Sequence, residues 1–372
     1  MRIGIILTGD YSWAGGVYYS LNIIKLLQKL SLGKNIQIVV LVNKQTEKEL
    51  LNEIRLKNVD IVSLDEKSFF YKVWCKFIGS ITGTNFRFVS DINALKLDVL
   101  YPVIHYENSH ENLKCRVFYW LFDFQHKFLP ELFTKEELEN RDLNFKQVTD
   151  HAKDIVVSSH NSKDHLMQFY PDCKAKVQVY NFASLTENLQ KKLPLNMPQN
   201  YLVVCNQFWP HKNHLTVLKA IDLLVKKGKD VHLVFTGKYK GVKNEKYVKE
   251  LQVFIQINKL EKHITFTGFI AREEQLALME NAKAVIQPSQ FEGWSTVIED
   301  AKALNKFIVA SDLPIHREQL KEDVLFFKPD DALQLSEFIS LLFSQKMQVT
   351  KMDYSANIRK SEADLAKIMG LT

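Results

Sequence analysis

Residues 291–300 read Phe-Glu-Gly-Trp-Ser-Thr-Val-Ile-Glu-Asp and gather three carboxylates, two hydroxyls and a glycine into ten positions. An apolar run at 284–287 ends just before them in Pro288-Ser289, so a buried strand stops where the polar groups begin. Gly293 lets the backbone come close to a bound group. Ser295 is a helix N-cap by type, and from Thr296 onward Val297, Ile298, Ala301 and Leu304 fall on one side of a helix at about 100° per residue. A helix starting at a strand end suits phosphate, because unpaired N–H groups and the positive end of the helix dipole point the same way. Glu292, ahead of the helix, can accept hydrogen bonds from hydroxyls. On an ideal helix Asp300 sits at the rim of the apolar stripe, one turn from Thr296, where it lines a pocket, whereas Glu299 lies almost opposite the stripe. Spacing alone also fits a solvated loop before an acidic helix start.

Three further stretches carry candidate chemistry. Residues 206–214, Asn-Gln-Phe-Trp-Pro-His-Lys-Asn-His, lie between an expected strand at 201–205 and an amphipathic helix at 215–227 ended by Gly228. His211, Lys212 and His214 before a helix make an anion site, and Lys212 is the best phosphate ligand as a compact, permanent cation; a plain surface loop has the same composition. Gly15-Gly16 separate a first strand, 2–8, from a helix at 17–30, which fits either an ordinary turn or a backbone close to a ligand. Asp10, Tyr11 and Trp13 share that loop. His126 follows the strand 117–121 and Phe122-Asp123-Phe124-Gln125, on the side where an α/β sheet binds ligands.

The elements that must position these residues alternate. Further strands are expected at 36–42, 60–64, 99–103, 154–159, 231–236, 264–269 and 307–311 with helices between them, which argues for parallel sheets in an α/β protein. A chain of 372 residues suits two domains. Residues 184–200 turn polar, with Pro194 and Pro198, and read as a linker. The boundaries are then 1–184, a linker 185–200, 201–348, and a tail 349–372.

Composition narrows the partners. With 46% hydrophobic and 25% charged residues the chain is globular. A net charge of +6 suits nucleotide phosphates or an acidic membrane face and is small for a nucleic-acid binder. Residues 69–78 place Lys72 and Lys76 opposite Phe70, Val73, Trp74 and Phe77, a pattern of core packing that also suits an acidic membrane surface. No run approaches the roughly 20 apolar residues of a membrane span, and the run at 3–7 is too short for an export core. The four scattered cysteines form no metal or redox spacing, which fits the cytoplasm.

Glu292-Gly293-Trp294-Ser295-Thr296, with Asp300 eight positions after Glu292 and Ala301-Lys302-Ala303-Leu304 behind, resembles the E-x7-E signature of the retaining glycosyltransferases of family 4, including those of bacterial surface-polysaccharide synthesis. Asp300 stands where that family has its second Glu. The resemblance implies a GT-B fold, two Rossmann-like doubly wound domains facing each other across a cleft, with the C-terminal helix returning to the first domain. It implies that Gly15 and Gly16 face donor phosphates and acceptor, that His126 contacts the donor sugar, and that Asp10, Tyr11, Trp13 and Asp123 lie toward the acceptor. Gln207 stands where family members often carry Arg, so the diphosphate rests on Lys212. Gly268 and Ile270 fall at the base, Glu292 on sugar hydroxyls with Gly293 and Trp294 beside it, Ser295 and Thr296 at the phosphates, and Asp300 on the ribose. The implied reaction moves a sugar from a UDP or GDP sugar to a hydroxyl of a glycan or lipid-linked acceptor, at the inner face of the cell membrane. No Asp-x-Asp pair occurs in the sequence, which fits a site that needs no metal or other cofactor. A non-hydrolysing nucleotide-sugar epimerase and a silent scaffold of the same architecture stay open. A dinucleotide oxidoreductase lacks its G-x-G-x-x-G.

Overall fold

The computed structural model describes residues 1–8, 13–43, 46, 50, 54, 58–64, 85–186, 193, 197–240, 244–344 and 352–371. The chain forms two compact units. One comprises Met1–Lys127, Phe133–Ala183 and Asn357–Thr372; the other comprises Phe128–Leu132 and Ser184–Ala356. The sequence reading put residues 128–132 in the first domain, but the Phe128 ring stacks on Phe291 with centroids 5.4 Å apart, and the segment belongs to the second unit.

In the first unit the described elements run β1 (Arg2–Ile6), α1 (Ala14–Ser31), β2 (Gln37–Val42), β3 (Val59–Ser63), α2 (Phe86–Ala94), β4 (Val99–Val103), β5 (Arg116–Leu121), α3 (Gln125–Phe128), α4 (Lys135–His151), β6 (Asp154–Val157), α5 (His160–Phe169) and β7 (Lys176–Val179). The seven strands are parallel in the order β3-β2-β1-β4-β5-β6-β7. Strands such as β4 are buried at every position, as expected when both sheet faces are covered.

The second unit repeats the plan with β8 (Tyr201–Cys205), α6 (His214–Lys226), β9 (His232–Thr236), α7 (Glu245–Ile257), β10 (Ile264–Gly268), α8 (Arg272–Asn281), β11 (Ala284–Gln287), α9 (Thr296–Ala303), β12 (Ile308–Ser311), α10 (Pro314–Gln319), β13 (Val324–Phe327) and α11 (Ala332–Ser344). Its parallel order is β10-β9-β8-β11-β12-β13. Alternate residues of β8 feed opposite layers: Leu202 and Val204 join one core, Tyr201, Val203 and Cys205 the other. In both sheets the chain winds outward one way from the first strand and then the other. The direction reverses between β1 and β4 and between β8 and β11, and ligands of open α/β sheets bind at the carboxyl ends flanking such a reversal.

The last helix, α12 (Ser355–Met369), belongs from Asn357 onward to the first unit. There Lys29 pairs with Glu362 at 2.7 Å and Ser361 Oγ donates to the Tyr180 hydroxyl at 3.1 Å. Among the described residues no helix is long and apolar enough to cross a membrane. The amphipathic stretch at 69–78 lies outside the described residues.

Candidate functional site

At the reversal of the second sheet, one carboxylate oxygen collects three donors. Asn206, next after β8, donates from Nδ2 to Gln287 Oε1 at the end of β11 over 3.1 Å. Gln287 Nε2 donates onward to Glu292 Oε1 at 2.8 Å, Ser289 Oγ donates to the same atom at 2.7 Å, and Lys212 Nζ lies 2.6 Å from it. Gln287 and Ser289 are fully buried, and the Lys212 and Glu292 side chains are 18% and 9% exposed, so this is a charge-assisted bond largely out of water.

Local sequence fixes Lys212 there. Pro210–Lys212 form a single 3-10 turn, with Lys212 N–H bonded to Trp209 O at 2.9 Å. The turn closes on Asn213 at φ 55°, a left-handed conformation that Asn tolerates well. Its side chain is locked by Thr216 Oγ1 at 2.8 Å and by Pro329 O at 2.7 Å. Gln290 N–H bonds His211 O at 2.7 Å, tying the Lys212 loop to the Glu292 loop. Gly237, at φ 134°, completes the crevice wall: a Cβ there would stand 2.4 Å from Asn206 O, so only glycine lets β9 end so close to β8. Gly268, at φ 77°, accepts from Gly237 N–H at 2.9 Å. Ile270 packs on the layer containing Tyr201 and Val203, and Gln207 Oε1 accepts from Lys238 N–H at 3.3 Å.

The helix start that the sequence marked is α9, capped by Ser295, whose hydroxyl accepts from Ile298 N–H at 3.3 Å. Ser295 N–H is taken by Gln319 Oε1 at 3.0 Å. The N–H groups of Thr296 and Val297 have no hydrogen-bond partner among the described residues and remain as donors at the positive end of the helix.

Two sequence expectations for this helix need correction. Asp300 is no free acceptor, because Arg272 grips both of its oxygens and Ser184 Oγ donates to one of them, and the residue is fully buried. Glu299 does not face solvent: it is 1% exposed, bonded to Lys302 Nζ at 2.9 Å, Gln319 Nε2 at 3.1 Å and the Tyr354 hydroxyl at 2.7 Å. These partners come from distant positions in the chain, which a helical wheel does not contain.

In the first unit, Gly15 and Gly16 lie inside α1, one turn earlier than expected. A Cβ on Gly16 would stand 2.9 Å from the Trp13 ring and 3.1 Å from Thr8 O, so the glycine lets Trp13 fold over the helix start. Trp13 stacks on Trp120 and tilts against Phe122, making an aromatic surface at the carboxyl end of β5. Asp123 accepts from Gln125 N–H at 3.1 Å and from Arg141 at 2.7 Å. Asp10 and Tyr11 lie outside the described residues. His126 is turned inward, a further correction. Its ring packs on Phe145 with centroids 4.9 Å apart and presents no exposed edge to a sugar. Its Nε2 lies 3.0 Å from Asp142 Oδ1, off the line of a hydrogen bond, and burial lowers its pKa to about 4. Sequence reasoning missed Gln287, Ser289, Arg272 and Gln319, polar residues whose only signal was a place at a strand or helix end.

Residues 186–360 match the family described as Glycosyl transferases group 1. The O-antigen chain mannosyltransferase RfbU of Salmonella typhimurium is 27% identical over 184 residues, 48% of this chain and 48% of that protein. Protein CapJ of Staphylococcus aureus is 24% identical over 210 residues, 56% of this chain and 52% of CapJ. The chain thus spans about half the length of these curated relatives. Among solved structures, HepE of Anabaena in complex with UDP and glucose aligns over 100% of this chain and 94% of its own, with a TM-score of 0.65 at 17% identity. WaaG, a glycosyltransferase involved in lipopolysaccharide biosynthesis, aligns over 100% and 96% with a TM-score of 0.62 at 9% identity. At such identities the likeness is one of fold. Two parallel sheets of the same doubly wound order, with these neighbours, make this a GT-B fold whose second half matches the group 1 glycosyl transferases.

Proposed function

We propose that this chain is a retaining glycosyltransferase. It moves a sugar from a UDP or GDP sugar to a hydroxyl of a glycan or lipid-linked acceptor in bacterial surface-polysaccharide synthesis, at the cytoplasmic face of the membrane and without a metal. The observation that carries this reading is the meeting of Lys212, Glu292 and the unpaired N–H groups of α9 at one sheet reversal, inside the stretch that matches the group 1 family. The names of RfbU, a mannosyltransferase, and of HepE, bound to UDP, support a nucleotide-linked hexose as donor.

The chemistry is electrostatic. As the bond from the anomeric carbon to phosphate oxygen breaks, charge gathers on the departing diphosphate, and Lys212 Nζ with the Thr296 and Val297 N–H groups receives it. Gln207 adds no charge, so Lys212 is the principal cation. Glu292, held through Oε1, offers its other oxygen to sugar hydroxyls. The acceptor oxygen forms the new bond on the same face, and its proton passes to the phosphate oxygen that leaves. Gly268 and Ile270 border the base, with Gly293 and Trp294 beside the sugar.

A thermal-shift screen of UDP, GDP and their sugars tests the donor class, since a ligand at 100 times its Kd adds about 2.7 kcal/mol of stability. Transfer to a synthetic lipid-linked or glycan acceptor, followed by NMR of the anomeric proton, tests retention. An inverted product removes the same-face step.

A further inference from the structure

Residues 311–319, Ser-Asp-Leu-Pro-Ile-His-Arg-Glu-Gln, have no part in the reading above, yet they support both halves of the crevice. Gln319, 5% exposed, pairs with the main chain of Ser295 on both sides. Its Oε1 accepts from Ser295 N–H at 3.0 Å and its Nε2 donates to Ser295 O at 3.1 Å, while the same Nε2 reaches Glu299 Oε1 at 3.1 Å, one turn further along α9. One turn back on α10, His316 is fully buried, and its Nδ1 donates to Ser311 O at 2.7 Å. A carbonyl only accepts, so the proton sits on Nδ1. Ser311 Oγ in turn donates to Ser289 O, and Ser289 Oγ holds Glu292.

We propose that Gln319 is a positioning residue for the nucleotide donor. It fixes the main chain at Ser295 so that the Thr296 and Val297 N–H groups keep their aim, while His316 steadies the Glu292 loop through Ser311. This deepens the reading of the crevice as a nucleotide-sugar site and rests on it. A buried amide with every group paired holds geometry and adds little apolar burial. The apolar Val297, Ile298 and Ala301 keep α9 docked without it.

The test uses the full chain with Gln319→Met and Gln319→Leu, which keep bulk and lose the pairing, and with Arg317→Ala, an exposed neighbour, as control. UDP and GDP are titrated calorimetrically, and donor and acceptor KM are measured separately from kcat. The expected result is nucleotide affinity weakened at least about tenfold with donor KM raised to match, acceptor KM unchanged and the control normal. Wild-type affinity and donor KM in a folded Gln319 variant would overturn the proposal. So would failure of both variants to fold, which makes Gln319 a stability residue. A wild-type chain that binds neither nucleotide instead sinks the reading of the crevice, and this inference with it.

Discussion

The guanidinium of Arg272 closes on both carboxylate oxygens of Asp300, across 28 residues of chain and within the same unit. Glu299, its neighbour, is held by Lys302, Gln319 and Tyr354. The helix α9 is therefore divided along its length: its first two residues offer bare N–H groups, and the acids at its fourth and fifth positions anchor it in the interior.

Replacing Asp300 by Ala takes from the Arg272 guanidinium its carboxylate partner, in a site where the Arg272 side chain is only 12% exposed, and leaves it the Ser184 hydroxyl. Removing one partner of a buried ion pair costs about 3–5 kcal/mol, and urea unfolding measures the loss. Nucleotide affinity per folded molecule stays near wild type. A stable Asp300→Ala chain blind to nucleotide would return the acid to the ribose.

Lys212→Ala leaves Glu292 accepting from Gln287 and Ser289, so the fold holds. Transfer falls by about 10²–10³ in kcat, the usual size for losing one preorganised donor to developing charge. Glu292→Ala likewise loses transfer while remaining folded by circular dichroism. Activity retained in both variants would reject this crevice.

Burial lowers the pKa of His126 to about 4 and that of His214 to about 3. The folded state holds both rings neutral, whereas the unfolded chain protonates them near pH 6.5. Their contribution is complete above about pH 6.5 and is lost as pH falls from there toward about 4 for His126 and further for His214. Melting temperature against pH reads this directly. His126→Phe should flatten the part of the curve above pH 4 and keep transfer, since neither ring nitrogen makes a hydrogen bond; abolished transfer in a folded variant would put His126 back in the reaction.

Gly237→Ala sets a methyl 2.4 Å from a main-chain carbonyl at φ 134°. The neighbour is backbone and cannot step aside, so the cost is about 2–4 kcal/mol from strain and overpacking. Denaturant midpoints measure it, with Gly33→Ala, where a Cβ meets nothing, as reference.

Continuous apolar runs made β4, β8 and β11 readable at their observed bounds, because a strand buried on both faces needs little else. The edge strands β7 and β13 escaped: each has four residues, mostly half-buried, so the apolar signal is thin. Lys212 and Glu292 were legible by residue type at strand ends, although they lie 80 residues apart. The wheel misjudged Glu299 because it knows a helix's own stripe and not that Tyr354 arrives from 55 residues away. His126 satisfied the strand-end rule, but a short helix turned its ring toward Phe145.

Apart from Phe128–Leu132, the second unit is one stretch from Ser184 to Ala356, and Ser184 N–H donates to the Tyr354 hydroxyl at 2.8 Å. Anyone excising this unit for crystallography or isotope labelling must therefore carry the cut past Tyr354. A fragment ending with α11 strips Glu299 of a hydroxyl donor and Ser184 of its acceptor, and we expect it to precipitate, whereas residues 184–356 keep that seam closed.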